Sequence, residues 1–305
     1  MQDISISFRH QVYKWLHKYR LSHSVSRTYL TTEFPPFRWL YRLFKRVNLT
    51  KTVYRNDTTY KVLLSDGAGV MNFVSDYEPW LDQLLPILLQ RKAPVFVDIG
   101  ANIGQTMLKV LPQLPGVQYF AVEPNPACVS YLKKLCALNK FTDVRIQQTA
   151  LSNRQGDARL MLRFSDDLLA TTTAGFRKFT RYSEQILVPI TTADLLFGQL
   201  LPEKIDVIKI DVEGGEADVI EGMLATIEKH KPVILCEILP VSSTDNEVTI
   251  FRRQNANRLV TAVSSVNYQI INIATKEVIS TIDDLSDSLE SSNYMMLSQG
   301  RVINW

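Results

Sequence analysis

The sequence contains few of the residues that characterise secreted, disulfide-bonded or membrane-spanning proteins. Its three cysteines, Cys128, Cys136 and Cys236, follow no metal-binding spacing, and the first two fall too far apart on one predicted helix to form a disulfide. No apolar run approaches the roughly 18 residues of a membrane span. The first residues also lack the apolar stretch of a signal peptide. We therefore expect reduced thiols and a cytoplasmic location.

Charge is distributed unevenly along the chain. The whole sequence has a net charge of +3, but residues 1–52 contain ten Lys/Arg and only two Asp/Glu, a net charge of +8 that leaves −5 for the remainder. We therefore predict two parts. Residues 1–75 form a basic, mainly helical N-terminal extension with room for short strands, and residues 76–305 form one folded domain.

The basic extension includes the segment PPFRWLYRLFKRV, residues 35–47, whose apolar and basic side chains fall on opposite sides of a predicted helix. Such helices lie on anionic membranes, which would give peripheral contact with the inner membrane face through residues 10–47. Alternatively, the apolar side packs on the domain and the basic side is solvated. Basic and aromatic residues together also suit nucleic acid, but no RNA- or DNA-binding module is recognisable, so we expect no nucleic-acid partner.

From residue 94 onward, strand-like and helix-like segments alternate. Five apolar runs predict parallel strands: PVFVDIG, VQYFAVEP, DVRIQQTAL, KIDVIKID and PVILCEI. Two later runs, NYQIINI and SNYMMLS, follow a predicted helix at about residues 246–263 and have no helix between them, so we expect them to close the sheet as an antiparallel edge. This pattern predicts an α/β fold whose mostly parallel sheet is covered on both faces.

The segment between the third and fourth predicted strands, residues 152–200, is longer than a simple crossover requires. Its sequence predicts an inserted hairpin with a threonine-rich loop, and loops of this length in compact domains are usually functional. The loop residues Thr171, Thr172 and Thr173 either contact a substrate or lie in solvent.

The stretch VFVDIGANIGQT, residues 95–106, predicts a strand that turns sharply into a helix around a nucleotide-like cofactor. Gly100 and Gly104 have no Cβ and permit that turn. Asn102 stands where a dinucleotide-binding fingerprint would have its second glycine, and asparagine is one of the few other residues that tolerate a positive φ. The turn is therefore expected to be retained.

The acids at the ends of the first two predicted strands indicate which cofactor the turn would hold. A carboxylate at Asp98 would repel the pyrophosphate of a nicotinamide cofactor, but it would favour the ammonium and sulfonium groups of S-adenosylmethionine. Glu123 ends the second strand, where an acid accepts hydrogen bonds from ribose hydroxyls in both kinds of site. Asp98 is thus the residue that discriminates between them.

Together, FVDIGANIGQT, AVEPNP, ALSNRQG, TTADLL and IDVIKIDVEGGEADVIEGM…ILCEI resemble the FkbM-type family of S-adenosylmethionine-dependent methyltransferases, over about residues 75–300. The resemblance implies that residues 76–305 form a methyltransferase domain with the Rossmann-like class I fold, a seven-stranded, mostly parallel sheet whose last strand is antiparallel. It also implies O-methylation of a hydroxyl on a saccharide, a glycan or a related natural product. The residues that match the family's cofactor site are Asp98, Gly100, Asn102, Gly104 and Glu123, with Ala150 and Leu151 at the adenine edge.

Methyl transfer to a hydroxyl requires a group that accepts or acidifies the hydroxyl proton. Asp211 ends the fourth predicted strand, Glu213 follows it, and Glu237 ends the fifth, all at the sheet edge where ligands bind. The sequence leaves three roles open for these candidate catalytic residues: general base, acceptor anchor, or, for Asp211 and Glu237, ligands of Mg²⁺. Lys209 is expected to pair with a carboxylate and Glu216 to stabilise a helix N-terminus. The four histidines fall elsewhere.

The sequence leaves two alternatives to a methyltransferase. One is a nicotinamide-dependent oxidoreductase on a similar fold, against which Asp98 and the segment IKIDVEG speak. The other is a non-catalytic methyltransferase-like scaffold, against which the intact cofactor loop speaks. The expected partner is a small-molecule or glycan acceptor, lipid-linked if the basic extension lies on a membrane.

Overall fold

The structure is a computed structural model, which describes residues 48–65, 68–69, 72, 77–162, 170–173, 182, 184–201, 204–241 and 247–305. The chain divides into two compact units, the larger of which consists of Tyr54–Tyr60 and Glu78–Trp305. The predicted extension over residues 1–75 lies mostly outside the described residues, as does all of the basic segment 10–47. Both therefore stay predictions.

The strands of the described residues are β1 (Leu49–Arg55), β2 (Thr58–Leu64), β3 (Val95–Ile99), β4 (Gln118–Val122), β5 (Val144–Gln147), β6 (Ala150–Leu151), β7 (Gly156–Leu162), β8 (Glu184–Thr191), β9 (Val207–Ile210), β10 (Val233–Glu237), β11 (Tyr268–Asn272), β12 (Val278–Ile279) and β13 (Asn293–Ser298). The α-helices are α1 (Pro79–Leu88), α2 (Met107–Gln113), α3 (Pro126–Asn139), α4 (Ala193–Leu200), α5 (Glu216–Glu221), α6 (Leu224–His230) and α7 (Glu247–Ser265).

An eight-stranded mixed sheet forms the centre of the larger unit, with strand order β12-β11-β13-β10-β9-β3-β4-β5. Strands β10, β9, β3, β4 and β5 are parallel to their neighbours in this series. The central strands read VFVDI and VIKI and are buried along their whole length, as expected of parallel strands covered on both faces. The hydrophobic core on one face joins the sheet to helices α4 to α7.

The predicted α/β fold is confirmed, and one detail of the sheet differs from the prediction. The sheet has eight strands rather than seven, because Val278–Ile279 adds a short strand beside β11. Strands β11 and β13 close the sheet on its antiparallel side as expected, with β13 paired between β10 and β11. The chain between β11 and β13 turns back through β12 and two short 3₁₀ turns, which returns β13 to the inner position.

Local contacts explain where other predicted elements are broken or capped. The run GEADVIEGMLATIEKH forms two helices, α5 and α6, separated at Gly222 and Met223. A Cβ at Gly222 would lie 2.1 Å from the carbonyl oxygen of Ser152, so only glycine fits there. Helix α3 is capped as predicted, with the Asn125 side chain accepting a hydrogen bond from the backbone N–H of Ala127.

The insertion between the third and fourth predicted strands contains the expected hairpin. Strands β7 and β8 pair antiparallel along seven register positions, and β6 joins the other side of β8 to complete a three-stranded sheet. The predicted run DVRIQQTAL is therefore split between two sheets, with β5 in the large sheet and β6 in the small one. From the threonine-rich loop, Thr171 is buried and its hydroxyl donates to the carbonyl oxygen of Glu213, at 2.8 Å.

Gly100 lies directly after β3, where the backbone of Asp211 approaches so closely that it leaves no room for a side chain. Its φ is +85°, and a Cβ there would lie 1.9 Å from the carbonyl oxygen of Asp211. We predict that Gly100→Ala lowers the free energy of unfolding by ~2–4 kcal/mol. Denaturant unfolding followed by circular dichroism measures it.

Gly198 in helix α4 provides the matched control, because among the described residues no atom beyond its chain neighbours and its own helix backbone lies within 4 Å of the position that its Cβ would take. Gly198→Ala should leave stability unchanged or raise it by up to about 1 kcal/mol. Equal effects of the two substitutions would contradict the close approach at Gly100.

Candidate active site

The loop between β3 and α2 has the backbone conformation expected of a nucleotide-binding turn. Gly100, Asn102 and Gly104 have φ values of +85°, +49° and +76°, which confirms the left-handed conformation predicted for Asn102. At Gly104 a Cβ would lie 2.9 Å from Leu132 and Leu135 of α3. Gly104 thus allows helix α3 to pack closely against the loop. Gly100 allows the backbone at the end of β9 to approach the loop equally closely.

Glu123, directly after β4, ties this loop to the neighbouring strand. Its carboxylate is buried, and its two oxygens accept hydrogen bonds, both 2.8 Å long, from the backbone N–H groups of Asn102 and Asn125. Burial raises the pKa of Glu123 to about 7, against the lowering effect of these two bonds. The hydrogen bond from Asn102 therefore holds the loop against the end of β4. The second lone pair of each oxygen stays available to a ribose hydroxyl.

Asp98 lies one residue before the end of β3, on the sheet face opposite to Val97 and Ile99. The side chain is 1% exposed. Its Oδ2 accepts a short hydrogen bond from the hydroxyl of Tyr119 on β4, while no described group donates to the buried Oδ1. Burial raises the pKa of Asp98 to about 6, with Lys209 and the Tyr119 hydroxyl opposing that rise.

Lys209 is the register partner of Asp98 on β3 and of Leu235 on β10, at the middle of the sheet. Its buried ammonium lies 3.3 Å from Asp211 Oδ2 and 3.4 Å from Glu78 Oε1. Burial favours the neutral amine, but the surrounding carboxylates outweigh it and raise the pKa of Lys209 above its usual range. The predicted pairing of Lys209 with a carboxylate is confirmed.

The acids after β9 and at the end of β10 lie at the carboxyl ends of these two neighbouring strands. Asp211 and Glu237 stand one position beyond the register pair Ile210 and Cys236, so the two carboxylates project from neighbouring strands. Glu237 Oε1 accepts a hydrogen bond from the Ser292 hydroxyl, at 3.1 Å. Burial, followed by the charge of Asp211, raises the pKa of Glu237 to about 8.

Glu213 and Glu216 make different contacts near the start of α5, the first through its backbone and the second through its carboxylate. Glu213 has a φ of +55° and contributes its carbonyl oxygen to Thr171. Glu216 Oε1 accepts from the backbone N–H groups of Val212 and Gly214, at 3.3 and 3.1 Å. This is the helix N-terminal role that the sequence predicts for Glu216.

Most of the predicted site residues thus lie in two groups at the carboxyl ends of the strands of the large sheet. Asp98, the glycine loop and Glu123 lie at the carboxyl ends of β3 and β4, and Asp211 and Glu237 lie at the same edge after β9 and β10. Ala150 and Leu151 form β6 in the smaller sheet, where Leu151 belongs to the hydrophobic core. Their assignment to the adenine edge stays a prediction.

Two residues of the cluster are not identified by sequence reasoning. Glu78 precedes α1 with a φ of 47° and reaches Lys209 from outside the strand–helix repeat. Tyr119 lies two positions before Ala121, the register partner of Asp98. The alternation of side chains along β4 places Tyr119 on the face of Asp98, and this alternation could have indicated it.

The magnesium alternative receives no support from the site. Among the described residues, no three His, Cys, Asp or Glu side chains are grouped so that they could hold a metal ion. The ammonium group of Lys209 already lies against Asp211 and Glu78, which is where a cation would be attracted.

Other residues considered from the sequence lie away from this edge or outside the described chain. His230 Nδ1 accepts a hydrogen bond from the N–H of Ile205, two residues before β9 and hence at the opposite edge of the sheet. His10, His17 and His23 lie outside the described residues. The three cysteines are free, and no helix in the described ranges is both long and apolar enough to cross a membrane.

Comparison with known families adds an independent finding to this geometry. The sequence model of the Methyltransferase FkbM domain matches residues 98–270, which is more than half of the chain and extends from the buried aspartate of β3 into β11. The protein belongs to the FkbM methyltransferase family. The resemblance noted from the motifs is therefore confirmed.

Two curated relatives match the chain at modest identity. The 2-O-methyltransferase NoeI of Sinorhizobium fredii (strain NBRC 101917 / NGR234) is 27% identical over 155 residues, 47% of this chain and 63% of NoeI. Methyltransferase sdnD of Sordaria araneosa is 28% identical over 158 residues, 43% of this chain and 60% of sdnD. This FkbM-family chain thus spans less than two thirds of the length of these relatives.

Two solved structures resemble the chain at a distance. The methyltransferase FkbM of Methylobacillus flagellatus KT matches with a TM-score of 0.41 and 14% identity, over 68% of this chain and 44% of that protein. The O-methyltransferase of Bacillus cereus, solved in complex with SAH, matches with a TM-score of 0.42 and 13% identity, over 73% and 83%.

The raised pKa values at the sheet edge predict how stability depends on pH. The affected carboxyl groups are Glu78 at about 7, Asp98 at about 6, Glu123 at about 7, Glu216 at about 7 and Glu237 at about 8. Each binds its proton more tightly in the folded than in the unfolded chain. The stability they contribute is therefore present below about pH 4 and is lost as the pH rises through 6 to 8.

We predict that the ligand-free protein loses about 2 kcal/mol or more of unfolding free energy between pH 5 and pH 8, since one pKa unit corresponds to ~1.4 kcal/mol. Thermal unfolding at several pH values measures the loss. Glu237→Gln should reduce the slope, whereas Glu228→Gln, an exposed glutamate of α6, should not. Stability that rises over this range would contradict the assignment.

Proposed function

We propose that this chain is an S-adenosylmethionine-dependent O-methyltransferase. The observation that carries the proposal is the buried carboxylate of Asp98 beneath a left-handed glycine–asparagine loop, with Glu123 directly beside that loop. The family membership supports methyl transfer as the reaction. The named 2-O-methyltransferase among the relatives supports oxygen as the atom that is methylated.

The cofactor would be held by the residues at the ends of β3 and β4. Glu123 would accept hydrogen bonds from the ribose hydroxyls, and the backbone of the Gly100–Gly104 loop would approach the nucleoside. The buried Asp98 Oδ1, to which no described group donates, suits a positively charged ligand and is unfavourable for the pyrophosphate of a nicotinamide cofactor. The oxidoreductase alternative is therefore not favoured.

The chemistry asks little of the protein beyond alignment, because the methyl group of the bound cofactor is already activated by the sulfonium. Asp211 and Glu237 would hold the acceptor hydroxyl between the ends of β9 and β10, in line with the methyl group. Glu237, whose pKa lies at about 8, is the better proton acceptor near neutral pH. Asp211, bonded to Lys209 Nζ, would orient the hydroxyl, and Glu213 would border the acceptor.

The proposed acceptor is a hydroxyl of a saccharide, a glycan or a related natural product. The basic segment of residues 10–47 would hold the enzyme at the cytoplasmic surface of a membrane if that acceptor is lipid-linked. Co-flotation of the full-length protein with anionic liposomes at low salt tests this location, and absence from the lipid fraction would exclude it.

Cofactor binding is tested by calorimetric titration of the purified protein. We predict that S-adenosylmethionine binds and that NADH does not. Glu123→Ala should weaken binding by about 10- to 100-fold, corresponding to hydrogen bonds worth ~1–3 kcal/mol. Glu228→Ala, at the exposed glutamate of α6, is the control and should bind normally. Unchanged affinity in a folded Glu123→Ala protein would refute this site.

The roles of the two strand-end acids are tested by turnover on the acceptor. Asp211→Asn and Glu237→Gln should each lower turnover by about 100-fold or more while S-adenosylmethionine binding is largely retained. Only Glu237→Gln should remove the ionisation near pH 8 from the pH–rate profile. Near-normal turnover of either variant would remove that residue from the mechanism.

A further inference from the structure

Two buried carboxylate oxygens at the sheet edge receive no hydrogen bond from the described residues. One is Asp98 Oδ1 and the other is Glu78 Oε2. The Asp98 side chain is 1% exposed and the Glu78 side chain is 8% exposed, so bulk water does not replace the missing donors. A buried charged oxygen without a donor is unfavourable, and the pair therefore indicates a donor that comes with a ligand.

The charges around these oxygens are also unbalanced. The carboxylates that act on the Lys209 ammonium are Glu78, Asp211, Asp98 and Glu237. One positive charge thus faces four acidic groups in a site that is largely closed to water. A ligand that enters here gains most if it brings positive charge together with N–H donors.

The position of Glu78 relates this imbalance to the cofactor loop. Its left-handed backbone, with a φ of 47°, turns the chain into α1, and its Oε1 contacts Lys209, the register partner of Asp98. Ile99 ends β3 after Asp98, and the turn at Gly100 follows. Asp98 therefore lies at the carboxyl end of β3, and Glu78 reaches the same place from the start of α1 through its contact with Lys209.

We propose that Glu78, together with Asp98, binds the α-ammonium group of the methionine moiety of S-adenosylmethionine, an inference that rests on the proposed function. An ammonium group has three N–H donors and can bond both free oxygens. The sulfonium has no donor and must face the acceptor hydroxyl. Glu78 is thus a cofactor-binding residue outside the DIGANIG and IKIDVEG motifs, and it makes the site selective for cofactors that carry the amine.

A thermodynamic cycle on the full-length protein tests this inference. The two ligands are S-adenosylhomocysteine and its deaminated analogue, in which hydrogen replaces the amino group, and the two proteins are the wild type and Glu78→Gln. We expect the wild type to bind S-adenosylhomocysteine at least about tenfold more tightly than the analogue. Glu78→Gln should lose most of that preference because its affinity for S-adenosylhomocysteine falls, while its affinity for the analogue changes less than about twofold.

Additional variants distinguish a loss of amine recognition from a folding defect, and the binding of S-adenosylhomocysteine to the wild type tests the proposed function separately. Glu228→Gln removes one exposed carboxylate and should keep the full preference. Should Glu78→Gln not fold, Glu78→Asp retains the charge but withdraws the carboxylate, and it should lose part of the preference. A preference equal to that of the wild type in either folded Glu78 variant would overturn the inference alone. No binding of S-adenosylhomocysteine to the wild type would overturn the proposed function with it.

Discussion

The buried ammonium group of Lys209 is the interaction on which the candidate site depends. It lies within 3.4 Å of Asp211 and Glu78, and its strand neighbour is Asp98. Without it, these carboxylates would be a buried group of like charges, which no low-dielectric interior accommodates at neutral pH. Because Lys209 lies on a central parallel strand, its position cannot change unless the register of β9 with both β3 and β10 changes as well.

The loop between β3 and α2 is fixed by the same strands rather than by its own sequence alone. The Asp211 carbonyl occupies the space that a side chain at position 100 would need. The backbone N–H of Asp211 donates a hydrogen bond to the carbonyl oxygen of Ile99, at 3.0 Å. On the other side, Glu123 fixes the N–H of Asn102. The loop is therefore preorganised between the strand that ends before Asp211 and the strand that ends before Glu123, so little conformational entropy is lost when a ligand binds.

The parts of this arrangement that the sequence predicts are those with a local physical cause. Buried parallel strands require continuous apolar runs, a sharp turn requires Gly100 and Gly104, and a helix start favours Asn125. Glu78 has no such cause, because its partner, Lys209, is 131 positions away in the sequence and only the fold brings the two together. The inner position of β13 also depends on how a long connection returns across the sheet edge, and no periodicity encodes that path.

The carboxylates around Lys209 outnumber the cations there. This excess affects both the stability of the protein without a ligand and the charge of the ligand that the site would favour. Raised pKa values show that the folded protein holds protons at this edge that free carboxylates would release near neutral pH. A phosphate would add to the repulsion that causes this, whereas a cationic ligand would relieve it. A divalent metal would also be attracted, but it would compete with Lys209 for the same oxygens. The arrangement thus favours an organic cation that adds N–H donors beside the lysine.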